Sequence, residues 1–251
     1  MDVVPRQIVG MSVAVARFYH RMEADHRGPM PRGPVLFVAN HGFGGVFDLN
    51  VLAFASAYEQ TGDKRRVSIL THQIAWALGL GRVVEKFDAT PANHHAAVVA
   101  LRARRHVLVF PGGDIDGFKS WSDRNRVMFD GRTGFARLAT EAGVPIVLVT
   151  AGAGESLFVI SGGRRLARLA GLDKLLRLKS FPTSISLPWG LTTGFVGLLP
   201  YLPLPTKITT TVLPAMTSRD GESADDYAHR VHEVMERELT AMTENRTPFV
   251  G

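Results

Sequence analysis

The residues best equipped for chemistry are Asn40, His41 and Asp48, in the stretch VLFVANHGFGGVFD at residues 35–48. Val35, Leu36, Phe37, Val38 and Ala39 form an apolar run between Pro34 and Asn40, which reads as a buried strand. That strand delivers Asn40 and His41 into a turn where Gly42, Gly44 and Gly45 let the backbone bend tightly and a substrate approach it. Asp48 follows at the start of a helix through Leu49, Leu52 and Ala53. A carboxylate can hold one imidazole nitrogen while the other takes a proton, which is the arrangement of a general base. A single histidine among glycines is more often a turn residue than a catalyst, so this spacing alone does not decide.

A second turn of the same kind strengthens the catalytic reading. Val107, Leu108, Val109 and Phe110 form another apolar run, followed by Pro111, Gly112, Gly113, Asp114, Ile115 and Asp116. Two buried strands that both end in glycine turns with acidic residues point to one crevice at the strands' carboxyl ends. The PGG turn has two readings. It is either a tight strand-to-helix connection or a set of backbone amides for an anion, with Asp116 organising the loop.

The remaining segments must position these turns. Arg6–Met22 has Ile8, Met11, Val15, Phe18 and Met22 at helical spacing, with Arg17, His20 and Arg21 adding charge. It either packs on the core or lies on anionic lipid. The pattern predicts a strand at Val67–Leu70 and helices at Ile74–Leu80, Ala96–Arg105 and Gly134–Ala142. It predicts further strands at Val144–Val149 and Lys207–Leu213. A last helix over Ser223–Met242 starts at a capping box and carries an apolar stripe of Tyr227, Val231, Val234, Met235, Leu239 and Met242. Alternating strands and helices predict an α/β fold, a largely parallel central sheet with helices on both faces. The chain reads as one domain: an amphipathic helix in residues 1–27, a catalytic core in 28–218 and a C-terminal helix in 219–251.

Residues 163–205 carry a different pattern. Leucines mix with Arg164, Arg165, Arg168, Lys174, Arg177 and Lys179, and Gly171 divides the stretch. From Ser180 to Thr206 no side chain is charged, yet Pro182, Pro188, Pro200, Pro203 and Pro205 forbid a spanning helix. We expect a basic helix followed by an apolar loop bearing Trp189 and Tyr201 at an anionic membrane surface, rather than a loop covering a soluble core.

Composition narrows the classes. The 251 residues contain no cysteine, which excludes disulfides, thiolate metal sites and a cysteine nucleophile. The net charge of +6 suits phosphorylated substrates or anionic membrane. Nucleic acid is not expected, because no recognition module is present. His94 and His95 are adjacent, without a carboxylate pair at ligand spacing, so no metal site is expected. Gly152-Ala153-Gly154 lacks the third glycine of a dinucleotide loop, and a GxSxG elbow is absent. The sequence shows no signal peptide pattern and no clean transmembrane helix.

NHGFGGVFD resembles the His-plus-Asp motif of the glycerolipid acyltransferase superfamily, and VFPGGDID resembles its FPEGT-type motif in the PGG form of the diacylglycerol acyltransferase-like branch. FDGRTGFARLATEAGVPIVLVT is similar to that branch's next block, and GESLF and PLPTKITTTV also fit. The resemblance runs from about Gly28 to about Met242. Three features depart from it. Six residues separate His41 from Asp48, where the family has HxxxxD or one residue more. Asp116 stands where Glu is usual. The family's second motif shrinks to EKFDA at Glu85–Ala89. The resemblance implies acyl transfer from acyl-coenzyme A or acyl carrier protein to a lipid hydroxyl, with no bound cofactor. It implies His41 and Asp48 as catalytic residues, with Asn40, Gly42, Gly112, Gly113, Asp116 and Arg132 at the substrate. Arg132 suits a phosphate, and Arg124 and Arg126 are weaker candidates. The expected location is the cytoplasmic face of a membrane, peripherally bound. The rivals are a hydrolase on the same fold and a degenerate lipid-binding protein, the latter resting on the long His41–Asp48 gap.

Overall fold

The computed structural model describes residues 3–43, 48–71, 76, 79, 81–172, 179–194, 199 and 201–251. In chain order the elements are α1 (Val3–Tyr19), β1 (Glu23–His26), β2 (Leu36–Ala39), α2 (Leu49–Gln60), β3 (Val67–Thr71), α3 (Gly81–Glu85), β4 (Ala89–Pro91), α4 (His94–Arg102) and β5 (His106–Val109). They continue with α5 (Gly113–Gly117), α6 (Gly134–Ala142), β6 (Ile146–Ala151), β7 (Phe158–Ser161), α7 (Arg164–Leu169), β8 (Thr183–Ser186), β9 (Gly190–Thr193), β10 (Thr209–Val212) and α8 (Ala224–Thr243). Gly44, Gly45 and most of the expected 74–80 helix lie outside the described residues, as do residues 173–178 of the expected basic helix.

The main sheet has the order β1-β10-β6-β2-β5-β3-β4. Strands β6, β2, β5, β3 and β4 run parallel, and β10 is antiparallel to β6. Alternation along the central strands feeds both faces. Leu36 and Val38, with Val107, Ile146 and Leu148, join α4, α6 and α8 in one apolar cluster. Val35, Phe37 and Ala39, with Leu108, Val147 and Val149, meet Phe54 and Ala57 of α2 on the other face. The α8 stripe packs as its spacing requires: Tyr227, Val231, Met235 and Leu239 are all buried, and Ser223 caps the helix.

Several expectations are corrected. Both edge strands, β1 and β4, went unpredicted, and β1 draws part of residues 1–27 into the sheet by pairing with β10. Helix α4 begins two residues before the expected Ala96, because the Asn93 side chain caps it by accepting from the Ala96 N–H. Helix α1 turns the large residues of its stripe outward: Ile8, Met11, Val15 and Phe18 are exposed, and Val13 and Ala16 are buried instead. The segment expected as a loop after residue 180 contains β8 and β9, which form an antiparallel three-stranded sheet with β7.

Two buried histidines make the fold sensitive to acid. His106 Nδ1 accepts the Val35 N–H at 3.0 Å, and Nε2 faces Asp63 at 3.2 Å. Burial lowers its pKa most; Asp63 opposes the shift and Arg65 adds to it. Burial also lowers the pKa of His20, against a hydrogen bond with the Thr206 carbonyl. In the unfolded chain both take up protons at about pH 6.5. Below that pH the unfolded state binds more protons, so this contribution to stability is complete above about 6.5 and declines as pH falls. Urea midpoints measured between pH 7.5 and 5.5 should fall with pH, and a flat profile would contradict this assignment.

Candidate active site

The site forms where the carboxyl ends of β2, β5 and β6 meet. Asn40 closes β2 by bonding across to β6. Its Nδ2 donates to the Ala151 carbonyl at 3.0 Å, and its Oδ1 accepts the Ala151 N–H at 2.9 Å. Its own carbonyl accepts from Asn50 Nδ2 at 2.5 Å. Asn40 is therefore buried and locks the strand end. Gly42 sits where a Cβ would come within 2.8 Å of Asn50 Oδ1 and 2.9 Å of the Ala153 Cβ, so the turn can pack only as glycine.

His41 and Asp48 meet despite the six residues between them. His41 Nδ1 lies 2.5 Å from Asp48 Oδ2, and both side chains are largely buried. Asp48 is also the N-cap of α2, its Oδ1 accepting the Asn50 N–H at 2.8 Å. The partial positive charge of a helix start favours a carboxylate there. With Nδ1 donating to Asp48, the ring's Nε2 is the nitrogen with a free lone pair. The Phe110 ring stacks on His41 at 4.4 Å between centroids and fixes the plane of the imidazole.

Asp116 is fully buried and holds the His41 backbone. Its Oδ2 accepts the His41 N–H at 2.6 Å, and its Oδ1 accepts from Met128 N at 3.0 Å. Lys119, also buried, completes the clamp. Its Nζ donates to Asp116 Oδ1 at 2.8 Å, to the His41 carbonyl at 2.9 Å and to the Arg126 carbonyl at 2.8 Å. Three acceptors for three ammonium hydrogens explain how a lysine can be buried with its charge. Sequence reasoning missed Lys119, whose only local signal is its place three residues after Asp116.

The PGG turn is set by close contacts. A Cβ on Gly112 would lie 2.2 Å from the Asp116 Cβ and 2.5 Å from the Met128 carbonyl oxygen. Gly113 has φ of 52°, and its N–H donates to the Phe110 carbonyl at 3.1 Å. Arg132 lies over this turn, donating to the Pro111 carbonyl at 2.9 Å and facing Asp114 at 3.3 Å, with its side chain 34% exposed. Asp114 also accepts from the backbone N–H groups of Lys179 and Ser180. Arg124 lies over the Trp121 ring and the exposed Arg126 is 3.7 Å from Glu236, so both guanidinium groups are engaged away from the PGG turn. Glu155, of the GESLF stretch, is buried against Arg246 at 3.5 Å and ties in the C-terminal tail through the Phe249 N–H.

Tyr201, which the sequence reading placed in the apolar loop, lies beside the site. Its ring packs edge-on against Phe43, two positions after His41. Burial, and then the charge of Asp48, push its pKa up, which keeps its hydroxyl protonated.

The comparisons with known proteins fit this geometry. Residues 20–151, more than half of the chain, match the sequence model of the Acyltransferase family. The chain belongs to this family. The match covers both glycine turns and the three strands that carry the site. No curated protein matches the sequence. Among solved structures, the fold is similar to the crystal structure of the 1-acyl-sn-glycerophosphate (LPA) acyltransferase PlsC from Thermotoga maritima. The TM-score is 0.56 at 14% identity, over 96% of this chain and 82% of that one.

The clamp on His41 can be tested by stability. Removing one partner of a buried ion pair typically costs about 3–5 kcal/mol, because the other charge is left unpaired. Lys119→Met should fall in that range by urea unfolding. Asp116→Asn with Lys119→Met should cost clearly less than the sum of the single losses. Additive losses would show that the two side chains are not coupled.

Proposed function

We propose that this acyltransferase moves a fatty acyl group from a thioester donor, acyl-coenzyme A or acyl carrier protein, to a lipid hydroxyl, with His41 as general base. The observation that carries the reading is the 2.5 Å contact between His41 Nδ1 and Asp48. It leaves Nε2 for the substrates, and a pair that meets despite the six-residue gap supports an active rather than a degenerate protein. Nε2 takes the proton from the acceptor hydroxyl as that oxygen attacks the thioester carbonyl. Asp48 stabilises the imidazolium. The tetrahedral oxyanion then collapses, the carbon–sulfur bond breaks, and the leaving thiolate takes the proton from Nε2. The N–H groups of His41 and Gly113 are spent on Asp116 and the Phe110 carbonyl, so oxyanion donors come from other groups of the site.

The remaining expected residues divide between framework and contact. Asn40, Gly42, Gly112 and Asp116 act by shaping the two turns, since each is buried or hemmed in by its neighbours. Arg132, fixed on the PGG turn yet partly exposed, is the residue for a phosphate of donor or acceptor.

Transfer is direct, without an acyl-enzyme. No cysteine is present. Ser120 Oγ bonds to Asp123 and Ser122, with no histidine on it among the described residues, and it lies outside both glycine turns. A hydrolase would use water in place of the alcohol, and rates with and without acceptor separate the two. His41→Ala should lower thiol release by roughly 10²–10⁴ with folding intact. Asp48→Asn should cost less, because the imidazole remains. Near-normal turnover in His41→Ala would refute the base. Radiolabelled acyl-coenzyme A mixed with enzyme alone should leave no label on the denatured protein. Stoichiometric label that chases into product would overturn direct transfer.

A further inference from the structure

The small sheet of β7, β8 and β9 is patterned opposite to an ordinary surface sheet. Its outer face carries a row of large apolar side chains beside an exposed Thr183–Thr193 hydroxyl pair. Phe158 pairs with Ile185, and Ile185 pairs with Leu191, so three large side chains form one cross-strand row. All three are exposed, at 39%, 48% and 68%. Ile160 and Leu187 extend the row, and Leu202 joins it through an antiparallel bridge to Leu187. The inner face carries hydroxyls. Ser184, Ser186 and Thr192 turn inward, and none of their hydroxyl oxygens has a hydrogen-bond partner among the described residues. A sheet that meets water on one side places its polar residues outside and its apolar residues inside. Scattered exposed leucines need no explanation, but a contiguous apolar row over buried hydroxyls does.

Two neighbouring features share this character. Helix α7 follows β7 directly and alternates exposed Leu166 and Leu169 with Arg164, Arg165 and Arg168. Arg164 faces Asp130 at 3.8 Å, whereas Arg165 and Arg168 have no carboxylate partner among the described residues. Helix α1 exposes Met11, Val15 and Phe18, the last at 88%. Its end is tied to the border of the small sheet, since Tyr19 Oη donates to the Pro203 carbonyl at 2.9 Å and Arg21 donates to the Pro205 carbonyl at 3.0 Å.

We propose that the outer face of β7-β8-β9, with α7, is where this protein docks on an anionic bilayer surface. The apolar row enters the interface while Arg165 and Arg168 meet lipid phosphates. Charge favours lipid over a second copy, because pairing this face with itself would bring like-charged arginines together in a chain of net charge +6. No helix among the described residues is long and apolar enough to cross a membrane. The inner side of the same sheet packs Val159 with Phe43, Leu157, Phe118 and Tyr201, against the turn that bears His41. Docking therefore sets the catalytic turn behind a single sheet layer at the lipid surface. The inference rests on the proposed lipid acceptor for its purpose, but not for its test.

The test is co-sedimentation of the full chain with phosphatidylglycerol and phosphatidylcholine vesicles, beside acyl transfer to a short-chain acceptor soluble in water. The wild type should partition to phosphatidylglycerol vesicles, and less so in high salt. The triple variant Ile185→Ser, Leu187→Ser and Leu191→Ser changes only exposed positions. It should weaken partition by about tenfold or more while soluble turnover stays unchanged. Arg165→Gln with Arg168→Gln should abolish the preference for the anionic lipid. A wild type that stays in the supernatant, or a triple variant that partitions equally, overturns the proposal. A dimer in sedimentation velocity that the triple variant abolishes, without vesicle binding, overturns it in favour of a second copy. Vesicle binding that behaves as expected, with no transfer to any acceptor, leaves docking standing and sinks the acyl-transfer reading alone.

Discussion

The structure depends on a buried ion pair that grips one peptide. Asp116 accepts the N–H of His41 and Lys119 donates to its carbonyl, while the two side chains neutralise each other. The His41 backbone is held between opposite charges from α5 and the residues just beyond, and its ring is held by Phe110 and Asp48. Parallel pairing of β2 with β5 is what brings these groups within reach, because it sets the two strand ends side by side. A general base needs this kind of preorganisation, since a small misplacement costs much of the rate.

What the sequence made legible follows from how each element is stabilised. The central strands β2, β5 and β6 are short apolar runs because both of their faces are buried, and α8 shows its core stripe openly. The edge strands β1 and β4 are held mainly by backbone pairing, so EADH and ATP carry no apolar signal. In β8 and β9 the alternation exists, but no charge marks the exposed face, and the prolines around them suggested a loop. The stripe of α1 was visible, but periodicity alone does not say whether a stripe faces protein or another medium.

The site shows the same division. His41 and Asp48 were legible as types at strand and helix ends, but their contact was not, because it spans a turn whose length gives no distance. Lys119 begins a run rich in charge that reads as a solvated loop. Its burial follows from acceptors on Asp116, His41 and Arg126, which only the folded chain brings together. The long-range partners of Asn40 and Glu155 were hidden for the same reason.

Asp48 is placed by helix α2, whose first turn it caps, and His41 is placed by the sheet and the clamp. Neither position is set by the residues that join them. What brings the two side chains together is the sheet end and the helix start, not the count of residues between them. A motif written as a fixed number of residues between histidine and aspartate records their separation in the chain, not the contact between the two side chains. Searches that require one spacing will pass over members whose geometry is intact.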